Sequence, residues 1–511
     1  MGLWSFYFIT KGYLYFRGFI RISFIWNLTL AIFLMIRVQK EKKYYRPLSI
    51  GKNSLAVVFG VLLLWHDSWL PTFKESFLFL MDERLPSKEY IFQFLSGFFN
   101  LWEIMIIASI LSMCFLVRQR VQLTPVVFVF LLIVPVLEFG QPKDELDRYI
   151  DTFSRSESSR VVRFERSKGG QPDFDIVILH ICSLGWDDLK VVGLEEHSFL
   201  EKFDYLFTSF NTVTTYSTPS AIRLLRGNCG QLQHGNLYYN DVPAECYLFD
   251  VFRGLGYQTY FTLNHDGLYR GVAANVKSYG HLDEPITSTD LPIQAYNFDS
   301  SPLFSDYTVL EKWWKMRQES GSDRAAVYYN GVSLHDGAHW IGEKEWWKRD
   351  RVENYKENVE KLFIDLTRFF NLLARSGRNV VVVFIPEHGL GLKGDSLQAS
   401  GLRDLPLPRI TNVPVGIKLI GRSFQDTSVR QEIISKPTSY LSISFLLASF
   451  LEQGFFRPGS SVSREVVFSL PETDLVTENE RGKLVKKGDD YFLYGKEKKW
   501  VKLPGIAISD R

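Results

Sequence analysis

Apolar residues are unevenly spread along the chain. Long apolar runs fill roughly the first 140 residues, and the remainder alternates apolar and polar positions like a water-exposed globular domain. Four runs are apolar enough to cross a bilayer, which takes about 20 residues each. They cover about Gly18 to Ile36, with Arg21 near one end, then Asn53 to Leu70, Leu95 to Val117 and Val121 to Phe139. The opening MGLWSFYFITKGYLYF is aromatic and apolar too. It predicts either a fifth span or a helix lying in the interface, where Trp and Tyr are favoured. No small-residue cleavage site follows a short apolar core, so a cleaved signal peptide is not expected.

Loop charge sets the orientation. Arg37–Pro47 has five basic residues and one acidic, and should stay in the cytoplasm. The loop from His66 to Phe94 carries Asp67, Glu75, Asp82, Glu83 and Glu89 against Lys74, Arg84 and Lys88, and should lie outside. The turn Arg118-Gln119-Arg120 returns inside. Everything after residue 140 is then outside the cytoplasm. The N-terminus is outside with four spans and inside with five. Glu103 falls within the third run; such a carboxylate is either functional or paired with Lys or Arg on a neighbouring helix.

Past residue 140 the pattern changes. Residues 141–172 are polar and charged and read as a juxtamembrane linker with some helix, ending at a Gly-Gly turn. Phe174–Ile181 (FDIVILHI) and Val380–Ile385 (VVVVFI) are short runs rich in β-branched residues, bounded by turn residues, and predict buried strands. A third strand is expected at Ala325–Tyr329. Trp346–Ala374 has apolar residues at three- and four-residue steps and predicts a helix. Continuous apolar strands alternating with helices imply an α/β domain with a mostly parallel central sheet, here over 173–455. From about 456 to 511 short strands are expected at Val466–Leu470 and Tyr491–Leu503, as an appended β-rich segment packed on that domain. In such sheets ligands bind beyond the carboxyl ends of the strands, so function should be sought just after residues 181 and 385.

Composition narrows the function class. The chain has 511 residues, 46% apolar and 15% aromatic, with 59 Lys and Arg against 57 Asp and Glu. This excludes a disordered or collagen-like chain, and only 4 cysteines exclude a disulfide scaffold. A net charge of +2 argues against a nucleic-acid partner.

Cys182 follows the first strand by one residue, and Glu387 and His388 follow the second. Thiolate, carboxylate and imidazole all ligate zinc. A lone cysteine is usually a small core residue, and Glu-His can be a solvated turn. Their shared placement at strand ends raises the metal reading to parity. Ser217 lies in YSTPSAIRLLR, where Pro219 suits the first turn of a helix and Ser217 or Thr218 its cap. A hydroxyl at a helix N-terminus suits phosphate, or it simply caps.

Taken together, FDIVILHICSLGW, TTYSTPSAIRLLRGNCGQLQHGNLY, SLHDGAHW and FIPEHGLGLKGD with SGLRDLP resemble the BcsG family. The likeness extends to WSFYF near the start and LLLWHDSWLP at the second apolar run. These are membrane-bound phosphoethanolamine transferases that decorate cellulose, within the alkaline phosphatase–sulfatase superfamily. The resemblance implies a transmembrane domain over 1–140, a helical bundle at the bacterial inner membrane, and a periplasmic catalytic domain. It implies Ser217 as the nucleophile, with Cys182, Glu387, His388 and Ser217 around one zinc ion. Tyr216, His335 and Arg403 would hold phosphate oxygens or shuttle a proton. Phosphatidylethanolamine would be the donor, cellulose the acceptor, and cellulose synthase subunits the partners. Lipid A or another glycan as acceptor, or a non-catalytic scaffold of the synthase complex, are the alternatives. Ala221 stands where a sulfatase needs Arg, which counts against that activity. A thiolate ligand disfavours magnesium and manganese.

Other residues stay open. His335-x-x-x-His339 has the spacing of a metal pair on a helix, but Asp336-Gly337 argues against a helix there. His339 is a candidate for binding substrate, and His234 either lines the acceptor groove or is merely exposed. Trp186, Trp340, Trp346 and Trp347 either stack on sugar rings or belong to the core. Cys229 and Cys246 flank a loop after the nucleophile helix and, in an oxidising compartment, are expected to bridge; two free thiols are the alternative. Cys114, within a span, is expected to be inert.

Overall fold

The computed structural model describes residues 2–36, 45–70, 85–96, 101–117, 120, 122–138, 143–165, 173–239, 242–395, 397–421, 431–453, 456, 464–495 and 499–503. The chain divides into two compact units. One comprises Met1–Leu85, Phe94–Pro142 and Gly394–Ser400; the other comprises Pro86–Gln93, Lys143–Lys393 and Gly401–Arg511.

In the first unit the apolar runs are helices. They span Trp4–Phe16, Phe24–Met35, Tyr45–Asp67, Leu101–Val117 and Leu123–Glu138. Within them Arg46–Asp67, at 22 residues, is the helix long and apolar enough to cross a membrane; Phe24–Met35, Leu101–Val117 and Leu123–Val134 are apolar but shorter. The predicted first span is shortened because its first residues form a turn before the helix starts at Phe24. Large side chains such as Ile25, Leu55, Leu116 and Val129 face outward from these helices. Much of the loop charge used for orientation (37–44, 71–84 and 118–119) lies outside the described residues, as does the Gly-Gly turn.

Two charged side chains among these helices are paired. Glu103 accepts from Arg17 Nη2 at 2.6 Å and from Tyr13 Oη at 2.5 Å. Lys11, fully buried, donates to Asn27 Oδ1 at 2.7 Å and forms an ion pair with Asp67. A buried charge among apolar helices is tolerable only when paired in this way.

The second unit is built on an eight-stranded sheet. In chain order its first strands are β1 (Asp175–Ile181), β2 (Tyr205–Asn211), β3 (Gln258–Leu263) and β4 (Pro285–Ile286). Strands β5 (Ile293–Tyr296) and β6 (Pro302–Phe304) leave the main sheet. β7 (Ala325–Gly331) returns to it, and β8 (His339–Trp340) pairs with β5 in a small three-stranded sheet. Then follow β9 (Val380–Pro386), β10 (Asn412–Ile420) and β11 (Glu432–Ile434). The sheet order is β11-β2-β10-β9-β1-β7-β3-β4. Only β10 pairs antiparallel with its neighbours, so the sheet is mixed with a parallel centre.

Alternation along each central strand feeds two cores. Ile176, Ile178, Val381, Val383 and Ile385 pack against one helical layer, formed by Ser217–Leu225, Leu248–Gly254 and Tyr440–Gln453. Val177, Leu179, Ile181, Val382 and Phe384 pack against the other, formed by Trp186–Val192, Asp306–Glu319 and Arg351–Arg375. Both faces are therefore covered, which is why these strands read as unbroken apolar runs. The long helix starts at Arg351, later than its periodicity predicts. Asp350 caps it, accepting from the backbone of Glu353 at 3.0 Å, and Trp346–Lys348 is a separate 3-10 turn.

The tail corrects one expectation. Val466–Leu470 is not a strand: Arg464–Phe468 is a short helix. Val466, Val467 and Leu470 recur at helical spacing and all enter the first core, which a strand could not allow. Beyond it, β12 (Val476–Asn479), β13 (Gly482–Lys487), β14 (Asp490–Tyr494) and β15 (Trp500–Lys502) form an antiparallel sheet. The helix Lys143–Ser158, from the expected linker, lays Leu146, Ile150 and Phe153 on that sheet against Val485, Phe492 and Trp500.

Candidate active site

Two adjacent parallel strands build the site. β1 and β9 run in register to Ile181 and Pro386, and the next residues are Cys182 and Glu387. Their exit paths are locked together: Glu387 N donates to Ile181 O at 2.8 Å, and Leu184 N donates to His388 O at 2.8 Å. One ligand atom from each of Cys182, Glu387 and His388 lies within 4.8 Å of the others, and all three residues are buried.

Ser217 joins them. Its Oγ is 3.5 Å from Cys182 Sγ and 3.4 Å from His388 Nε2. The helix Ser217–Leu225 is preceded by Tyr216 as the cap residue, and no side chain makes a capping hydrogen bond. Ser217 is thus the first helical residue rather than the cap, so its hydroxyl is available to the pocket.

The side chains fit a divalent cation. Glu387 Oε1 accepts from Asn330 Nδ2 at 2.6 Å, while Oε2 is buried with no hydrogen-bond partner among the described residues. A buried carboxylate oxygen left bare is costly unless a cation neutralises it. His388 Nδ1 is 2.8 Å from Gly389 O, so its proton belongs there and Nε2 presents its lone pair to Cys182 and Ser217. Burial pushes the Cys182 thiol up to about 12, helped by the Glu387 charge. Burial raises the Glu387 carboxyl and holds the His388 imidazole well below its usual value, so His388 is neutral. Sulfur, oxygen and nitrogen donors in one dry pocket suit zinc.

Profile comparison assigns nearly the whole chain. Residues 4–136 match the family model for the cellulose biosynthesis protein BcsG N-terminal domain, and residues 138–500 match that for its C-terminal domain. The chain belongs to the BcsG family. It is 31% identical to the cellulose biosynthesis protein BcsG of Escherichia coli (strain K12), over 98% of this chain and 96% of that one. It is 32% identical to the BcsG of Salmonella typhimurium, with the same coverage of both chains. Among solved structures, a protein of the alkaline phosphatase superfamily from Vibrio parahaemolyticus is similar at 12% identity and a TM-score of 0.48, over 70% of this chain and 87% of that one.

The remaining candidate residues of this BcsG family member take up varied positions. Arg403 is half-buried; its Nη1 donates to Ser183 Oγ at 3.1 Å and lies 3.2 Å from the His388 ring. Among the described residues no carboxylate forms a salt bridge with it, and its charge acts on Cys182 and Glu387. The Tyr216 hydroxyl donates to Asp404 Oδ1 at 2.6 Å, with the Arg403 charge nearby. His335 stacks on Phe298 at 4.7 Å, and its Nδ1 is 3.0 Å from Asp336 O. Burial, then the Arg403 charge, lowers its imidazole to about 4. It is therefore a neutral base at pH 7, outside the cation-binding set. His335 to His339 is not helical, since Gly337 turns the chain at φ +81°.

His339 is stacked on Trp346 at 4.2 Å, with its Nδ1 3.0 Å from Gly337 O. Trp347 meets Trp346 edge-on. Trp340 pairs with Ala295 on the small sheet, and Trp186 packs on the second core. His234 is half-buried near Arg223 and Lys483, and neither ring nitrogen has a hydrogen-bond partner among the described residues. Cys229 and Cys246 form a disulfide, and Cys114 is free.

Some supporting residues carry no sequence signal. Asn330 at the end of β7 orients Glu387, and His180 lies 3.8 Å from Glu387 Oε1 on the same side. Tyr90, in the stretch 86–93, donates to Asp336 Oδ2 at 2.8 Å, and Arg351 holds the same carboxylate. An aromatic residue between two apolar runs reads as an interface anchor, which hides this contact.

Proposed function

We propose that the chain is a zinc-dependent phosphoethanolamine transferase, anchored in the bacterial inner membrane by four or five spans within residues 1–140. A juxtamembrane linker (141–172) leads to a periplasmic catalytic domain (173–455) carrying a β-rich segment (456–511). The observation that carries this reading is the Ser217 hydroxyl placed 3.5 Å from Cys182 Sγ and 3.4 Å from His388 Nε2, with Arg403 Nη1 3.2 Å from the same imidazole ring. The donor is phosphatidylethanolamine and the acceptor a hydroxyl of cellulose, delivered by the cellulose synthase complex.

The reaction has two displacements at phosphorus. In the first, Ser217 Oγ bonds to phosphorus, the bond to the glycerol oxygen breaks, and diacylglycerol leaves. In the second, a sugar hydroxyl bonds to phosphorus and the Ser217 oxygen is released. Cys182, Glu387 and His388 would hold one zinc ion, which supplies Lewis acidity and lowers the pKa of a nearby hydroxyl. Arg403 binds the non-bridging oxygens as charge builds on them. His335, neutral and with Nδ1–H committed to Asp336 O, can take a proton at Nε2 and return it. Mass spectrometry of the full-length protein after incubation with phosphatidylethanolamine tests this. A phosphoethanolamine adduct on the Ser217 peptide is expected, and it should be absent from Ser217→Ala. Full transfer by a folded Ser217→Ala protein would overturn the mechanism.

A further inference from the structure

The reaction just proposed needs two loops held together, one carrying Ser217 and the other Arg403. They come from separate parts of the sheet and meet through Thr215 and Asp404. Thr215 Oγ1 donates to Arg403 O at 2.5 Å. Both loops are then gripped by one residue of the C-terminal sheet. Asn479 Nδ2 donates to Thr215 Oγ1 at 3.2 Å and to Asp404 O at 2.8 Å. We propose that Asn479 is a positioning residue for phosphoethanolamine transfer, fixing the Ser217 loop against the Arg403 loop.

The orientation of the Asn479 amide is determined by its surroundings. Its Oδ1 accepts from Arg481 N at 2.9 Å and Gly482 N at 3.1 Å, closing the turn between β12 and β13. Only the two N–H bonds remain, and both point at acceptors in the active-site loops. Asn479 and Thr215 are buried, so water does not compete for these bonds. Neighbouring residues of β12 repeat the arrangement. Glu478 N donates to Val213 O at 2.7 Å, and Thr477 Oγ1 donates to Pro406 O at 2.6 Å. Val213 has φ +66°, a conformation that a β-branched residue adopts only when its surroundings impose it. Asp404, whose carbonyl Asn479 holds, also takes the Tyr216 hydroxyl at 2.6 Å and pairs with Arg481. The segment after residue 475 therefore braces both sides of the nucleophile. Misplacing an attacking oxygen or its anion clamp by a fraction of an ångström slows an in-line displacement without abolishing binding.

Asn479→Asp separates this role from the ordinary one of closing a turn. Aspartate still accepts from Arg481 N and Gly482 N, but it has no N–H for Thr215 or Asp404. The measurement is the single-turnover rate of Ser217 modification in full-length protein with phosphatidylethanolamine vesicles, alongside zinc content and thermal melting. The rate at saturating lipid should fall between about tenfold and a hundredfold, with half-saturation moved by less than about twofold and zinc retained. Thr215→Val should lose a similar amount, and Thr215→Ser, which keeps the hydroxyl, should restore it. If Asn479→Asp does not fold, the Thr215 pair alone decides. A wild-type rate in Asn479→Asp, or equal rates in Thr215→Val and Thr215→Ser, would overturn the proposal. The proposal rests on the transferase reading, and its failure is distinguishable from the failure of that reading, in which the wild-type protein itself acquires no adduct on Ser217.

Discussion

Glu387 Oε2 lies 3.7 Å from His388 Nε2 and accepts no hydrogen bond among the described residues, while its other oxygen is held by Asn330. One amide thus decides which carboxylate oxygen faces the ligand group. Asn330→Ala should release Glu387 and lower zinc affinity by about 10- to 100-fold. Competition against a chelator of known affinity measures this, and unchanged affinity would show that Asn330 does not position the ligand.

Zinc binding should strengthen as pH rises. The Cys182 thiol is pushed up to about 12 by burial, so it is protonated at neutral pH and must release its proton when it ligates. His388, held well below its usual value, contributes no proton. Affinity should therefore rise by about tenfold per pH unit near neutrality, one proton being released. In metal-free protein the same thiol acts oppositely. Its folded pKa exceeds its unfolded value of about 8.5. Its stabilising contribution is thus complete below about pH 8.5 and is lost as pH rises toward 12. Chelator competition and thermal melts at stepped pH check the two halves separately.

The bridge between Cys229 and Cys246 closes a loop with a sequence separation of 17. Replacing both cysteines by serine should cost about 3 kcal/mol. Melting of the two proteins side by side reads this directly. A reductant should lower the melting temperature of the wild type and leave that of the double variant unchanged.

Arg403→Lys keeps a charge but loses the planar fork. Its guanidinium is placed by Ser183 and the His388 ring, and an ammonium cannot match both. Transfer should slow by about 10²- to 10³-fold, with zinc content unchanged. Steady-state kinetics with a soluble phosphoethanolamine ester, paired with metal quantification, would reveal the loss.

Some of this was readable from residue order alone. β1 and β9 are strands because FDIVILHI and VVVVFI are apolar on both faces, and only a sheet covered on both sides uses such segments. The chemistry-bearing residues just after them, Cys182, Glu387 and His388, followed from that placement and from the family likeness. The stretch 464–468 reads as a strand in sequence because Val466, Val467 and Leu470 are β-branched or apolar enough for either structure; the core on one side of them selects the helix.

Residue order determined the strands, the apolar helices and the candidate groups placed at the strand ends, because these depend on local periodicity and on residue type. The tertiary structure decided which neutral side chains serve those groups. Asn330, Thr215 and Asn479 are unremarkable in sequence, and each acts through hydrogen bonds to residues at least 57 positions away. A hydrogen bond is directional and short, so only the folded chain determines where such a donor ends.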